Sequence, residues 1–173
     1  MASVIPEVLN HFNVYNEGNV LIGVSGELEL PNFENNTDTV EGTGVLGDFE
    51  DPVTGQFGSM TMKIPFAVLY KSIFEIASTT KPPLLTLRAS MQCQDPTTGE
   101  TGYYPVRIVV RGKAKVITPG KVAKSKKMEA SLEVEIMYIK IEIDGDEIVE
   151  LDKLNFVYKL LGVDQMETIR SQC

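Results

Sequence analysis

The chain has 173 residues, of which 43% are hydrophobic and 23% charged, and its formal net charge is -8 at pH 7. These values are typical of a soluble globular protein of one domain, and no stretch approaches the ~20 consecutive apolar residues that a membrane-spanning helix needs. The first residues show neither region of a secretory signal, and the two cysteines form no CxxC pair. We therefore expect a protein without a membrane anchor that folds in a cytoplasm with two reduced thiols.

The charges are distributed unevenly. Residues 1 to 62 contain ten acidic side chains and no lysine or arginine, whereas residues 107 to 127 contain eight of the sixteen cations and no acid. Such an asymmetry is compatible with nucleic-acid binding, with a solvated loop, or with complementary surfaces on identical subunits. Composition leaves these three explanations open.

The N-terminal part predicts a β-hairpin. Residues 12–15 form the first strand, the turn is Asn16-Glu17-Gly18-Asn19, and residues 20–30 form the second strand. Leu28 and Leu30 alternate with Glu27 and Glu29, as in a strand with one face on a core.

The segment 31–58 breaks this pattern. It contains five glycines, two prolines and many acidic residues, and it predicts one long loop. Compact domains seldom carry so long an irregular segment unless it has a function or becomes ordered on binding. We take this loop as the first functional candidate, because its apolar side chains would otherwise have nothing to pack on; among them are Phe33, Leu46, Phe49 and Val45.

The middle of the chain predicts a strand, a helix and a second hairpin. Residues 59–66 alternate as a strand, and residues 67–78 place Leu69, Ile73, Ile76 and Ala77 on one helical stripe. Residues 84–94 and 103–117 then form two strands joined by a turn at 95–100.

A basic loop at 118–127 precedes a very long strand at 128–143, with a switch of face at Met137. Asp144-Gly145 is a strong hairpin signal, and Asp164 is a candidate N-cap for a terminal helix. We predict a mainly β fold with one or two helices, a β-barrel or β-sandwich flanked by an α-helix, in a single domain covering residues 1–173.

Catalysis finds little support. His11 is the only histidine and has no identifiable partner for a nucleophilic triad. Residues 42–47 match GxGxxG, but the acids and the proline that follow would repel a phosphate and discourage a helix. The acids at 144–150 lack calcium-loop spacing. We expect no enzyme activity, no cofactor and no metal.

The basic stretch could attract nucleic acid, but it lacks interleaved aromatics for base stacking, and the whole chain is acidic. We prefer a protein partner, the nearest complementary surface being the acidic N-terminal third. The residues of this basic patch are Arg107, Arg111, Lys113, Lys115, Lys121 and Lys124.

The C-terminal third carries motifs in a recognisable order and spacing: Tyr138, Ile143-Asp144-Gly145, Glu147, Val149-Glu150-Leu151-Asp152, Asn155 and Gly162-Val163-Asp164. Further matches are Val110-Arg111-Gly112, Thr98-Gly99-Glu100, Leu30-Pro31 and the loop of Gly42 and Gly44. From about residue 20 the chain resembles the major tail tube protein of contractile-tailed phages and R-type tail-like bacteriocins.

The resemblance implies a structural subunit that assembles into six-membered rings, which stack head to tail into a hollow tube. Its partners would be other copies of itself, a contractile sheath outside, and the baseplate and tail terminator proteins. The tube would belong to a virion tail or tail-like particle assembled in the cytoplasm of a bacterial host. DNA could pass through the channel without specific binding.

Two sets of site residues follow as hypotheses. The loop reaches an adjacent subunit or ring through Phe33, Gly42, Gly44, Leu46, Asp48, Phe49 and Glu50, and the channel is lined by acids chosen from strand alternation, namely Glu27, Glu29, Glu133 and Glu135. The alternatives are a tube protein of the type VI secretion kind and a small β-barrel binding module that does not assemble. The sequence does not distinguish a phage tail from a tail-like bacteriocin.

Overall fold

The computed structural model describes residues 4–44 and 46–173; Val45 and residues 1–3, which the predictions included, lie outside the described part. Strands dominate: β1 Ile5–Asn16, β2 Asn19–Val20, β3 Asn35–Val40, β4 Phe49–Phe57, β5 Thr61–Phe66, β6 Leu84–Gln94, β7 Thr101–Thr118, β8 Ala130–Ile143, β9 Asp146–Asp152, β10 Val157–Leu160 and β11 Val163–Asp164. The helices are α1 Lys71–Ile76 and α2 Glu167–Gln172. The prediction of a mainly β fold is confirmed.

Nine strands form one antiparallel sheet in the order β11-β10-β9-β8-β7-β6-β1-β2, with β5 paired to β8. The segment after β2 returns to β5 through the bridges Val24–Phe66 and Glu29–Lys63. These bridges connect the two ends of the path from β1 to β5, so the sheet curls around its own core in a barrel-like manner.

The curled sheet has two faces of different chemistry. The core face carries the buried side chains of β5 to β8, including Ile64, Leu85, Val110 and Leu132, and α1 adds Ile73 and Ile76 to the same core. The outer face carries the alternate residues, many of which are polar or charged. Directly opposed residues share a face, so Arg107 and Glu142, and Lys113 and Glu135, lie together on the outer face.

The long strand β8 turns over near Met137, as predicted. Leu132, Val134 and Ile136 are buried, and after Met137 the buried position moves to Ile139. The β7–β8 register shifts between Arg111 and Gly112 at the same level. The extra residue is Met137 on β8, and it returns the apolar side chains that follow it to the core face.

The two predicted tight turns are confirmed. Asp144 and Gly145 have φ of 53° and 83°, and Glu17 and Gly18 have φ of 47° and 89°. Two successive positive φ values give the turn that matches the twist of antiparallel strands, which explains why a glycine occupies the second position.

Three predictions need correction. Residues 20–30 are not one strand beside β1, because the chain leaves β1 after Val20 and pairs with β5 through the two bridges. The segment 31–58 is not one irregular loop, since it contains β3 and β4, which pair with each other. The helix of residues 67–78 is shorter, spanning Lys71–Ile76, although its stripe of Ile73 and Ile76 is buried as expected.

Neither α1 nor α2 is long and apolar enough to cross a membrane, and no other helix occurs in residues 4–44 and 46–173. Cys93 is buried, Cys173 is exposed, and both are free thiols.

Candidate functional site

The first candidate site is a two-stranded arm, which we define as residues 35–57. Strands β3 and β4 pair only with each other, in a sheet separate from the main one, across the described residues. Every described residue from Asn35 to Thr54 is exposed except Val40, which is half-buried. An isolated two-stranded hairpin is at best marginally stable in water, so this arm is suited to being completed by another surface.

The predicted assembly residues lie mostly along this arm, and they are exposed. Leu46 is fully exposed and Phe49 has an exposed fraction of 51%, and both extend from a segment rich in carboxylates. Gly42, Gly44, Asp48 and Glu50 are also exposed. Phe33 lies just before the arm, where its ring contacts Phe57 edge to face at 6.2 Å between centroids.

The predicted basic patch is not a single cluster. Arg107, Arg111 and Lys113 follow one another along the outer face of β7, Lys115 lies at a bulge, and Lys121 and Lys124 lie in the exposed loop beyond the strand. Several of these cations already have partners in the chain. Arg107 Nη1 lies 3.3 Å from Glu142 Oε2, Lys115 Nζ lies 3.3 Å from Glu135 Oε2, and the Arg111 guanidinium lies 5.8 Å from the centre of the Tyr138 ring.

Three of the four candidate channel acids, in contrast, occupy one continuous wall. Glu133 and Glu135 lie on the outer face of β8, where they are directly opposite Lys63 and Thr61 of β5. Glu29 is bridged to the other side of Lys63, whereas Glu27 is exposed in the irregular segment before this bridge. A recess in this wall brings Glu29, Glu34 and Glu133 around Lys63.

Glu135 differs from its neighbours because its charge is satisfied within the chain. Partial burial by itself would raise the pKa of Glu135, but hydrogen bonds donated by Ser59 Oγ at 2.7 Å and Met60 N at 3.0 Å, with the Lys115 ammonium, outweigh burial and lower the pKa. This carboxylate joins residues 59 and 60, just before β5, to β7 and β8, and it is the least available of the four candidates for a ligand.

Sequence reasoning missed a network of ion pairs across the outer face of β8, β9 and β10. Lys140 Nζ lies 3.0 Å from Glu142 Oε1 and 2.9 Å from Glu147 Oε2, and Lys159 Nζ donates to Glu150 Oε2 at 2.7 Å. Bonds to Glu147 and Glu142 raise the pKa of Lys140, and the bond from Lys159 lowers the pKa of Glu150. The alternation of charged residues with Ile139, Ile141 and Ile143 was the available signal.

The remaining titratable residues suggest no reaction centre. His11 is exposed on the outer face of β1, opposite Ser90. Within the described part of the chain, no group of three or more His, Cys, Asp and Glu side chains is arranged to hold a metal ion.

Comparison with known proteins gives this geometry a context. The model of the family described as phage tail tube protein FII matches residues 6–173. The chain belongs to this family. The tail tube protein of Escherichia phage P2 is similar to it, with 28% identity over 167 residues that cover 96% of both chains.

Membership confirms the predicted resemblance to the tail tubes of contractile-tailed phages and extends it almost to the N-terminus. The tail tube protein is a structural component of a virion tail and not an enzyme. It assembles with copies of itself into the tube and associates with other tail components. Its exposed arm and charged outer wall are therefore candidate assembly surfaces.

Proposed function

We propose that this tail tube protein forms six-membered rings that stack head to tail into a hollow tube, with residues 1–173 as one domain and the arm as its stacking element. The observation that carries this proposal is the arm itself. A hairpin exposed on both faces, attached to a subunit of the tail tube family, is explained when a neighbouring copy covers it.

Lateral contacts within a ring use the open edges of the main sheet. Over most of its length β1 pairs only with β6, and β7 beyond Arg111 pairs only with β8, among the described residues. The two edges are different, so one copy can add its β1 edge to the β7 edge of the next. Such a heterologous contact closes into a ring when the rotation allows it and continues the sheet around the channel.

Stacking uses the charge asymmetry of the chain. The arm carries Asp38, Glu41, Asp48, Glu50 and Asp51 and no cation, whereas the loop after β7 carries Lys121, Lys124, Lys126 and Lys127. In a head-to-tail stack, the acidic arm of one ring meets the basic loop of the adjacent ring, and Leu46 and Phe49 contribute apolar contacts.

The wall of Glu29, Glu133 and Glu135 faces the channel in this assembly, together with Glu27. An anionic lining repels phosphates, so DNA slides through the bore without adhering to it. The outside of the tube contacts a contractile sheath, and its ends contact a baseplate and a tail terminator protein. Capsid genes beside this gene would identify a phage, and their absence would identify a tail-like bacteriocin.

The arm can be tested by deleting residues 42–50. We expect a folded subunit by circular dichroism that forms no tubes in negative-stain electron microscopy, because the stacking contact is lost. A control variant replaces Thr97 and Thr98, in the exposed turn between β6 and β7, with alanine and should form normal tubes. Normal tubes from the deletion variant would reject the stacking role of the arm.

A further inference from the structure

The root of the arm rests on the C-terminal part of the same chain. The Phe57 ring contacts the Tyr158 ring edge to face, with 5.0 Å between centroids. Lys153 Nζ donates to the Gly58 carbonyl at 2.7 Å, and Gly58 N donates to the Glu34 carbonyl at 3.0 Å. These contacts join the beginning and the end of the arm to the segment that follows β9.

Met166 packs beneath this root. Its side chain is only 7% exposed although most of its neighbours in the chain are exposed. It lies against Gly55, where an added Cβ would overlap the Met166 sulfur. Gly55 also has φ of +74°, a conformation that favours glycine. The arm therefore leaves the sheet over Met166 and Tyr158, which we call the seat.

An ion pair links the residues on either side of Met166. Asp164 Oδ1 accepts a hydrogen bond from Met166 N at 2.9 Å, and Asp164 Oδ2 lies 2.6 Å from Arg170 Nη2. Arg170 also donates through Nη1 to the Phe156 carbonyl at 2.9 Å. The Arg170 guanidinium and the Met166 amide lower the pKa of Asp164, which remains ionised at neutral pH. One arginine thus joins both ends of the segment 156–170 around Met166.

We propose that the Asp164–Arg170 pair is a positioning pair for the arm: by fixing Met166 and Tyr158 under its root, it sets the direction in which the arm leaves the subunit. The consequence for assembly rests on the stacking role proposed above. Strand β3, which runs along the arm without the irregularity of β4, has six residues. At about 3.3 Å per residue it extends roughly 20 Å, so a tilt of about 30° at the root moves the tip by about 10 Å. A displacement of that size would take the arm away from the adjacent ring.

The direction of the arm can be measured by pulsed electron–electron double resonance (DEER) on spin-labelled monomers, at a protein concentration below that of assembly. Labels at Asp48→Cys in the arm and Glu100→Cys in the β6–β7 turn, in a Cys173→Ser background, report the distance between arm and sheet, while the buried Cys93 remains unlabelled. We expect one narrow distance distribution for the parent and a width about twofold greater or more for Arg170→Gln and for Asp164→Asn, because a charge-assisted bond is lost. Arg170→Lys should restore much of the narrow distribution.

Assembly is measured on the same variants without labels. We expect Arg170→Gln to raise the protein concentration for half-assembly by about tenfold, which corresponds to about 1.4 kcal/mol of association free energy. The matched control is Lys71→Gln, which removes the exposed pair between Lys71 and Glu75 on α1. It should change neither the distance distribution nor assembly.

The outcomes separate this inference from the stacking proposal. An unchanged distance distribution in folded Arg170→Gln and Asp164→Asn would overturn the positioning pair, even if the arm deletion abolishes tubes. A broadened distribution with normal tubes, together with normal tubes from the arm deletion, would support the positioning pair and reject the stacking role. If circular dichroism shows that Arg170→Gln does not fold, Asp164→Asn tests the positioning pair instead. Its amide oxygen can still accept the hydrogen bond from Met166 N, so only the ion pair is lost.

Discussion

Gly112 shows how one residue determines the pairing of the longest strands. It is buried in β7 opposite Ile136, at the point where the register shifts, and an added Cβ would overlap the Glu135 carbonyl oxygen. The backbones of β7 and β8 approach closely at this bulge, and only a residue without a side chain fits. This is the physical reason for the glycine in the motif Val110-Arg111-Gly112.

We predict that Gly112→Ala lowers the free energy of unfolding by about 1–3 kcal/mol, the usual cost of forcing extra volume into a packed site. Gly102→Ala is the matched control, because Gly102 lies in the same strand and an added Cβ would meet only the Tyr104 ring at 3.8 Å. Urea unfolding followed by circular dichroism measures both variants. Equal stability of the two would show that the strands separate without cost at Gly112.

Residue-level patterns predicted the turns better than the contacts between distant segments. The turn at Asp144-Gly145 can be predicted from the sequence because its two positive φ values depend on two adjacent residues. Asp164 was predicted as an N-cap, but α2 begins at Glu167 with Met166 as its N-cap residue. The carboxylate of Asp164 still accepts from the Met166 amide and pairs with Arg170, six residues on, whereas the contact between the Phe57 and Tyr158 rings joins residues about a hundred positions apart. Local propensity contains no information on which distant residues come into contact.

At the scale of elements, the ion-pair network on β8, β9 and β10 makes a prediction about pH. Hydrogen bonds from Lys140 and Lys159 lower the pKa values of Glu142 and Glu150 respectively in the folded protein. A carboxyl group with a lowered folded pKa stabilises the protein above its unfolded pKa of about 4.3, and this contribution is lost as the pH falls through the folded value. Stability should therefore decrease in acid.

The double variant Lys140→Gln/Lys159→Gln tests this network. At pH 7 we expect the free energy of unfolding to fall only modestly, since these side chains are partly exposed and solvent screens their pairing. As the pH falls through the folded-state pKa values of Glu142 and Glu150, the difference between variant and parent should shrink, because both carboxyl groups then become protonated in the parent too. Lys121→Gln/Lys124→Gln, in the exposed loop, has the same change in net charge and serves as the control. If the double variant lost the same free energy of unfolding at every pH, the lysines would act through packing alone.

The sequences of β3 and β4 show why this segment was predicted as a loop. The sequence of β3, Asn-Asn-Thr-Asp-Thr-Val, has no alternation of apolar residues, and β4 contains Pro52 and Gly55. Alternation reveals a strand only when one of its faces is buried, and both faces of this hairpin are exposed. The long strands that contribute to the core, such as β6 and β8, were predicted within a few residues.

At the scale of the whole molecule, the charge asymmetry distinguishes stacking by complementary charge from stacking by apolar contact alone. The carboxylates of the arm and the lysines of the loop after β7 lie on exposed segments, so water and salt reach them. The range of such interactions is about 10 Å at 0.1 M salt and about 3 Å at 1 M. Electrostatic stacking therefore weakens with salt, whereas contacts made by Leu46 and Phe49 persist.

We predict that reversing either set of charges prevents stacking and that reversing both restores it. Lys121→Glu/Lys124→Glu and, separately, Asp48→Lys/Glu50→Lys should each raise the protein concentration for half-assembly by about tenfold or more, because close like charges across a contact repel. A chain that carries all four substitutions should return to within about threefold of the parent, since its arm and loop are complementary again. Lys71→Glu/Lys81→Glu, at two exposed positions outside the arm and the loop, has the same change in net charge as the lysine double variant and serves as its control. Half-assembly is measured by sedimentation and electron microscopy at two salt concentrations. If either double variant forms tubes as readily as the parent, or if the fourfold variant recovers no assembly, the arm does not meet the basic loop, and its apolar tip would be the contact to map next.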